Sequence, residues 1–170
     1  SFLKNSVFSI SFGTSLSKLA GCIRQIFIAA AFGVGITYDA FNYAYIIPGF
    51  LLIIIGGING PLHNAIVAVL TPLNKKKGGI VLTQVSIKLS ILLFFLALLI
   101  YFNSSLLIDL LAPNLSNEAK SIATYQLRIL TPCIPLSGFI GLSFGALNSR
   151  RKFFLSSVSP AITSVTTIFF

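Results

Sequence analysis

Long apolar segments, separated by short stretches of polar or charged residues, run through the whole chain. Their lengths predict helices at residues 6–32, 40–73, 80–102, 118–147 and 154–170, with a short amphipathic helix around residues 106–111. At ~1.5 Å per residue the first segment would reach ~40 Å, enough to cross a ~30 Å hydrocarbon core with some tilt. The pattern therefore predicts an all-α fold, a polytopic transmembrane helix bundle with about five spans in residues 1–170.

A break at residues 56–61 interrupts the second segment, and it contains Gly56, Gly57, Asn59, Gly60 and Pro61. In a continuous helix Pro61 would lack a backbone donor and clash with the carbonyl group of Gly57, and each glycine would lower helix propensity by ~1 kcal/mol. Irregular backbone at membrane depth is tolerated only against protein or a water-filled cavity, and it often marks transporter sites. We expect one bent span whose hinge faces a cavity. A rigid packing kink and a hairpin of two helices are the alternatives.

Composition excludes an ordinary soluble domain. Hydrophobic residues make up 55% of the chain and charged residues 9%, whereas soluble domains carry about 25% charged residues. The mean hydropathy of +0.95 also excludes disorder. The net charge is +9, but the basic residues form no stripe with exposed aromatic residues, so no nucleic-acid partner is expected. Cys22 and Cys133 lie far apart without metal-ligand spacing, so we expect no metal site and no cofactor.

The basic residues cluster at alternate ends of the predicted spans. The clusters are Lys4, Lys75–Lys77 and Arg150–Lys152. Cytoplasmic loops next to membrane spans are enriched in Lys and Arg. If the second segment is one span, all three clusters fall on the same side. The pattern therefore predicts a multi-pass protein of the plasma membrane with a cytoplasmic N-terminus.

Two cations lie well inside the first predicted span. Lys18 and Arg24 would each cost about 2.5–3.5 kcal/mol at the centre of a membrane helix. Their spacing places them ~9 Å apart along the axis and ~120° apart in azimuth, with Gly21 between them. The two cations flank a small-residue notch formed by Ser17, Lys18, Gly21, Arg24 and Gln25, which could hold a phosphate or diphosphate. The alternative is a structural pairing with carboxylates of other helices.

Asp39 is the acidic residue at the start of the second segment, where it could cap the helix or take part in function. No hydrolase, metalloprotease, P-loop or paired-carboxylate pattern occurs in the chain, so we expect a protein that is not an enzyme.

The fourth segment combines a cation, two prolines and a run of glycines. Arg128 is expected to snorkel toward the membrane surface, and Pro132 and Pro135 are expected to bend the helix. The glycines Gly138, Gly141 and Gly145 predict a close-packing face.

Several motifs, taken in order along the chain, resemble those of the MurJ (MviN) lipid II flippase family. The stretch from Ser17 to Gln25 is similar to the family's SR-x-x-G-x-x-R-[DE] pattern. The other motifs follow at the family's spacing: Phe32-Gly33, Asp39-Ala40-Phe41, Pro48, Ala112-Pro113, Leu127-Arg128-Ile129, Pro132, Leu147-Asn148, Phe153-Phe154 and Ser159-Pro160-Ala161. The resemblance covers nearly the whole chain.

The resemblance implies a multidrug/oligosaccharidyl-lipid/polysaccharide (MOP) exporter fold, which is MATE-like, with two lobes around a central cavity. Residues 1–170 would form part of the N-terminal lobe. The implied activity is to flip lipid II, the lipid-linked peptidoglycan precursor, across the bacterial plasma membrane during cell-wall synthesis. Lys18 (an Arg in the family), Arg24 and Asp39 would contact this anionic lipid. The implied protein is a monomeric transporter whose other partners are membrane lipids.

The chain departs from the family at three polar positions after Pro48. Gly49, Leu52 and Gly57 stand where the family has Asn, a cavity Arg and Glu, and the glycine-rich break resembles the variant of cyanobacterial members. The departures leave two alternatives to a lipid II flippase. One is a related MOP exporter of polysaccharide-lipid or drugs, and the other is a membrane scaffold without transport activity.

The fifth segment has about 17 residues and no flanking charge, which is barely long enough to span a bilayer. We therefore expect this chain to be the N-terminal piece of a longer protein, with further helices after residue 170.

Overall fold

The computed structural model describes the backbone of residues 2–33, 35–57 and 60–169. It describes the side chains of residues 11–28, 30, 33, 35–57, 60–162, 164 and 165. The described part is helical: α1 (Phe2–Phe32), α2 (Ile36–Leu51), a π-helical turn (Leu52–Gly56), α3 (Pro61–Leu70), α4 (Lys75–Phe102), α5 (Ser104–Leu111), α6 (Asn117–Leu130), α7 (Cys133–Ser149) and α8 (Phe153–Phe169). The predicted all-α fold class is confirmed.

The chain divides into two compact units. Unit 1 contains residues 1–33 and 147–170, and unit 2 contains residues 34–146. In unit 1, α1 packs along α8 through small residues. A Cβ atom on Gly13 would lie 2.8 Å from Cβ of Ser157, and Ser17 Oγ donates a hydrogen bond of 2.6 Å to the carbonyl oxygen of Ser157. Gly13 and Ser17 are one helical turn apart, so they define the α8-facing side of α1.

A tight turn precedes α8 in unit 1. Arg151 adopts a left-handed conformation with φ 59°, which few residues other than glycine favour. The amide groups of Arg150 and Lys152 both donate to the carbonyl oxygen of Leu147. Asn148 Oδ1 accepts a hydrogen bond of 2.6 Å from Ser156 Oγ and so fixes the turn to the first turns of α8.

Unit 2 has a core formed by α2, α4, α5, α6 and α7. Its fully buried residues include alanines on α2 and α6 together with larger side chains of α5, α6 and α7: Ala40, Ala44, Ala123, Ile108, Leu127 and Ile134. The alanines allow the backbones of α2 and α6 to approach closely, which is how helices associate where the lipid removes the hydrophobic driving force.

Two helical stretches in the described residues are long and apolar enough to cross a membrane, Ile36–Leu70 and Lys75–Phe102. The pair α6 and α7 makes a third if its two halves, bent by 44°, count as one span. The bend lies where the prolines predicted it. Pro132 is between the helices, and Pro135 is in the first turn of α7, where no intrahelical donor is needed. The division into five spans stays a prediction for the segments at α1 and α8.

The helix boundaries differ from the predicted ones at several ends. α4 begins at Lys75 rather than at residue 80, because Asn74 Oδ1 accepts a hydrogen bond of 2.9 Å from the amide of Lys77 and caps the helix. The amphipathic helix α5 begins at Ser104, two residues before the predicted start. The lysines at 75–77 are therefore helical and do not lie in a loop.

The break is a true interruption, which corrects the expected role of Pro61. The π-helical turn ends at Gly56, Gly57 and Gly60 are extended (ψ 142° and 166°), and Pro61 is the first residue of α3. Proline is favoured at that position because its missing donor is not required there. The predicted clash with the Gly57 carbonyl therefore does not arise. Asn59 lies outside the described residues.

The predicted glycine face of α7 is tightly packed. A Cβ atom on Gly141 would clash with the carbonyl oxygen of Ile55, which belongs to the π-helical turn. A Cβ atom on Gly138 would lie 2.6 Å from Leu93 of α4, and one on Gly145 would lie 2.6 Å from Ile66 of α3. Three elements of unit 2, namely the π-helical turn, α4 and α3, therefore pack closely against this face of α7. Larger side chains at the glycine positions would push these elements away from α7.

Gly141→Ala is expected to destabilise the protein by ~1–3 kcal/mol, because the added methyl group meets backbone that cannot rotate away. The matched control is Gly79→Ala in α4, where the added Cβ atom meets nothing within 4 Å, so stability should be unchanged or slightly higher. Thermal unfolding of the purified full-length protein in detergent measures both. Equal unfolding temperatures for the two variants would contradict this packing.

Candidate functional site

Lys18, Gly21 and Arg24 lie on the described part of α1, and the structure shows their surroundings within unit 1. The Lys18 side chain is exposed, and Arg24 is half-buried. A Cβ atom on Gly21 would meet nothing within 4 Å. The space beside Gly21, between the two cations along the helix, is therefore open among the described residues. That a substrate binds there stays a prediction.

Arg24 lies close to the α8-facing side of α1. It follows Ser17 by two helical turns, so the two residues have nearly the same azimuth. Its Nε atom is buried and has no hydrogen-bond partner among the described residues. Buried polar groups nearly always have a partner, because an unpaired one costs free energy. Arg24 thus carries an unsatisfied donor, and the described residues bring no carboxylate to it.

Asp39 is exposed in the first turn of α2 and belongs to unit 2. Gly35 is the N-cap residue of this helix, and no side chain caps it. The amides of Tyr38 and Asp39 each donate a bond of 3.0 Å to the carbonyl oxygen of Gly35. The Asp39 carboxylate favours the positive end of the helix, but it is not the cap. It therefore remains available for a functional role, which stays a prediction.

The residues of the break crowd their own backbone. A Cβ atom on Gly57 would clash with the carbonyl oxygen of Ile53, and one on Gly60 would lie 2.9 Å from that of Ile54. Gly56 is buried, and a Cβ atom there would lie 3.0 Å from the carbonyl oxygen of Ser137 on α7. The local path of the chain therefore requires glycine at positions 57 and 60, and a side chain at position 56 would be tightly crowded. Whether the break moves as a hinge stays a prediction.

The family's polar positions after Pro48 are also structurally constrained here. A Cβ atom on Gly49 would lie 2.6 Å from the ring of Tyr45, which covers this side of α2. Leu52 is half-buried at the start of the π-helical turn. Gly57 has no room for a side chain, as described above. Unit 2 therefore supplies no cation or carboxylate at these three positions.

Two charged residues of α6, Lys120 and Arg128, lie in a polar environment that the sequence pattern did not predict. Both line a cleft between α5 and α6, together with residues from each helix. The available signal was the spacing of polar residues at 117, 120, 121, 124 and 128, which puts them on one face of a helix. Within the longer segment 118–147, which is mainly apolar, these polar residues do not stand out.

Side chains that could ligate a metal are dispersed among the described residues. No group of three or more His, Cys, Asp or Glu side chains is close enough to hold a metal ion there. Cys22 and Cys133 are exposed and not joined to each other.

Comparison with known proteins identifies the family. The model of the family described as "Lipid II flippase MurJ" matches residues 28–170. The chain is 41% identical over 166 residues to the "Probable lipid II flippase MurJ" of Synechocystis sp., an alignment that covers 98% of this chain and 31% of that protein. It is 30% identical to the "Lipid II flippase MurJ" of Thermosipho africanus, with 93% of this chain and 33% of that protein covered. No solved structure matches the chain significantly.

The chain spans about a third of the length of these relatives. The family match begins after Arg24, but the alignment with the Synechocystis protein takes in nearly all of the chain. The helices, the apolar surface and these matches agree with one another. The chain is a membrane protein that belongs to the MurJ lipid II flippase family, whose members are MOP-like helical transporters and not enzymes.

Proposed function

We propose that the full-length protein flips lipid II, the lipid-linked peptidoglycan precursor, across the bacterial plasma membrane. The observation that carries this proposal is the notch on α1. Arg24 has a buried, unpartnered Nε donor among the described residues, Lys18 is exposed nearby, and the space at Gly21 is open. The diphosphate of the precursor is the group that would satisfy these donors. The relatives' names, which specify lipid II flippases, support the same substrate.

The chemistry of the notch suits a diphosphate group. Such a group cannot cross hydrocarbon unaided, because a buried charge without partners is very costly. The guanidinium group of Arg24 offers a planar fork that matches phosphate oxygens, whereas Lys18 offers a single point charge. Arg24 would therefore fix the orientation of the headgroup, and Lys18 would add attraction with less geometric constraint.

Asp39 and the break would serve the conformational cycle. Asp39 is exposed and is not the N-cap residue of α2, so its carboxylate would be available for a role in the transport cycle. Helical backbone stops at Gly56 and resumes at Pro61, and Gly57 and Gly60 between them are extended. A few such residues can absorb the change in backbone angles that alternating access needs. The gating hinge would therefore be Gly56, Gly57, Asn59, Gly60 and Pro61.

The charge distribution disfavours the other candidate functions. The chain has 3 acidic residues in total, and Asp39 and Glu118 lie in the first turns of α2 and α6. An exporter of cationic drugs would need carboxylates inside its cavity. A scaffold without transport activity would not need two cations inside one apolar helix. A transporter of an anionic lipid fits this charge distribution best, and we propose that it acts as a monomer.

Replacing Arg24 with Ala is expected to lower lipid II flipping about a hundredfold, because charge-assisted hydrogen bonds to the diphosphate are lost. Lys18→Arg should retain activity, since the family carries Arg there. Lys88→Ala, which removes an exposed cation from α4, is the matched control and should also retain activity. The measurement is rescue of bacteria depleted of their own flippase by the full-length gene, with membrane protein levels recorded for every variant.

The rescue experiment tests the proposed function and the assigned site separately. If the unchanged gene does not rescue growth despite normal membrane levels, the proposed function is wrong. If it rescues growth and Arg24→Ala rescues equally well, the function stands and the assigned site is wrong.

Gly21→Leu is expected to insert normally, because the described residues leave open space at this position. The larger side chain would fill the notch between the two cations and lower flipping about tenfold. Gly79→Leu places the same side chain at an equally open position of α4 and serves as the control. Rescue of the same cells measures both variants. Full activity of Gly21→Leu would show that the notch is not the substrate path.

We further infer that the N-terminus is cytoplasmic, with Lys75–Lys77 and Arg150–Lys152 on the same side of the membrane. A phosphatase reporter, which is active only outside the cytoplasm, should be inactive when fused after Lys77 and active when fused after Pro113. An active fusion after Lys77 would instead show that Ile36–Leu70 crosses the membrane twice.

A further inference from the structure

A polar cleft of about 490 Å³ lies between α5 and α6 in unit 2. It is lined by hydroxyl, amide and charged side chains of both helices: Ser105, Asp109, Asn117, Lys120, Ser121, Thr124, Tyr125 and Arg128. None of these residues belongs to the notch on α1 or to the break. The cleft therefore offers a second site whose chemistry is independent of the proposed transport function.

The cleft exists because α6 has two distinct faces. Ala119, Ala123 and Leu127 are buried, and Ala123 and Leu127 belong to the core of unit 2. Lys120, Thr124 and Arg128 repeat at helical spacing on another face, so they form a polar stripe. From the first residue of α6 to Arg128, the polar face of the helix is about 16 Å long. Polar groups of this kind are not stable against hydrocarbon and need a polar partner.

Arg128 is held in place by two contacts. Its Nε atom donates a hydrogen bond of 2.8 Å to Ser104 Oγ, and Ser104 is fully buried at the start of α5. Its guanidinium carbon lies 5.7 Å from the centroid of the Tyr101 ring, within the range of a cation–π interaction. The terminal nitrogen atoms of the guanidinium have no acceptor in the described part of the chain. They form a preorganised pair of donors.

Lys120 supplies the second positive charge and is held by an ion pair. Its Nζ atom lies 3.0 Å from Asp109 Oδ1, and its side chain is 22% exposed against 57% for that of Asp109. Two cations and one carboxylate give the cleft a net charge of +1. A phosphodiester carries one negative charge at neutral pH, so it would neutralise the cleft. A divalent cation would be repelled, because it would face two positive charges and a single carboxylate.

Aromatic and apolar residues around the cleft place it at the boundary of the bilayer. Tyr101 and Phe102 end α4, and both are exposed, as is Tyr125 on α6. Leu106 and Leu110 are exposed on the amphipathic helix α5. Tyrosine is enriched where membrane proteins meet the lipid headgroups, and amphipathic helices lie in that plane. The phosphate of a lipid headgroup is the anion available at this depth.

We propose that the cleft between α5 and α6 binds the phosphodiester of a membrane lipid headgroup, with Arg128 and Lys120 as the contacting cations. Ser104 and Tyr101 act as positioning residues, because they fix the guanidinium group without contacting the lipid. The hydroxyl groups of Ser121 and Thr124 add neutral donors within the same cleft.

The test uses the purified full-length protein in detergent and native mass spectrometry, with phosphatidylglycerol as the probe. A galactosyl diacylglycerol, which has the same lipid anchor without phosphate, is the control lipid. Arg128→Gln should weaken phosphatidylglycerol retention about tenfold. Lys120→Gln should weaken it as well, although less, because the charge of Lys120 is already partly neutralised by Asp109. Lys76→Gln, which removes a cation at the other end of α4, is the matched control and should have no effect.

Ser104→Ala keeps every charge but frees the guanidinium group, and it should give an intermediate loss. This variant also keeps the test decisive if Arg128→Gln inserts poorly. Selective retention of phosphatidylglycerol that depends on Arg128 or Ser104 supports the proposal. Equal retention of both lipids, or no effect of either variant, overturns it. Inorganic phosphate binding with the same affinity and the same variant dependence would assign the cleft to a soluble anion and also overturn the lipid proposal.

Discussion

Unit 2 depends on covering backbone polar groups where its apolar helix is interrupted. In a bilayer an unpaired carbonyl group costs several kcal/mol, so irregular backbone must be packed against protein or water. The π-helical turn and the extended glycines interrupt the regular hydrogen bonding of this stretch. Gly141 of α7 approaches the Ile55 carbonyl oxygen closely, and Gly56 approaches that of Ser137. The glycine face of α7 and the break in the preceding span are therefore complementary, and neither is explained without the other.

This packing has a consequence for where charge can be placed. The family's polar positions include 49 and 57, but here the Tyr45 ring and the Ile53 carbonyl oxygen occupy the space that side chains would need. A Glu at position 57 would require a different backbone path through the break. The charges that such residues would supply must come from other elements in this protein. Within unit 1, α1 carries Lys18 and Arg24, and these are the cations that the proposed transport function uses.

Much of the fold follows from the sequence because helix positions depend on local properties. Hydropathy predicted the long helices, Pro132 and Pro135 predicted the bend, and amphipathic spacing predicted α5. The π-helical turn was not predictable, since its close approach to α7 joins residues far apart in sequence. The position of Pro61 at the start of α3 agrees with the local preference of proline for the first helical residue. The cleft was also missed, because Arg128 meets Ser104 across 24 residues of sequence. At the candidate site, residue types and spacing gave the notch, but the unsatisfied donor of Arg24 needed coordinates.

The cations for which the structure shows a partner differ from Arg24 in how their charge is satisfied. Lys120 has an ion pair with Asp109, and Arg128 has a hydrogen bond and an aromatic ring. Arg24 has a buried Nε atom with no partner in the described residues. When a helix with such a group inserts into the membrane, the free-energy cost of desolvating the group is not offset by a hydrogen bond. Under the proposed function, an anion that arrives and leaves would compensate this group for part of a cycle, whereas a permanent carboxylate partner would hold Arg24 in place.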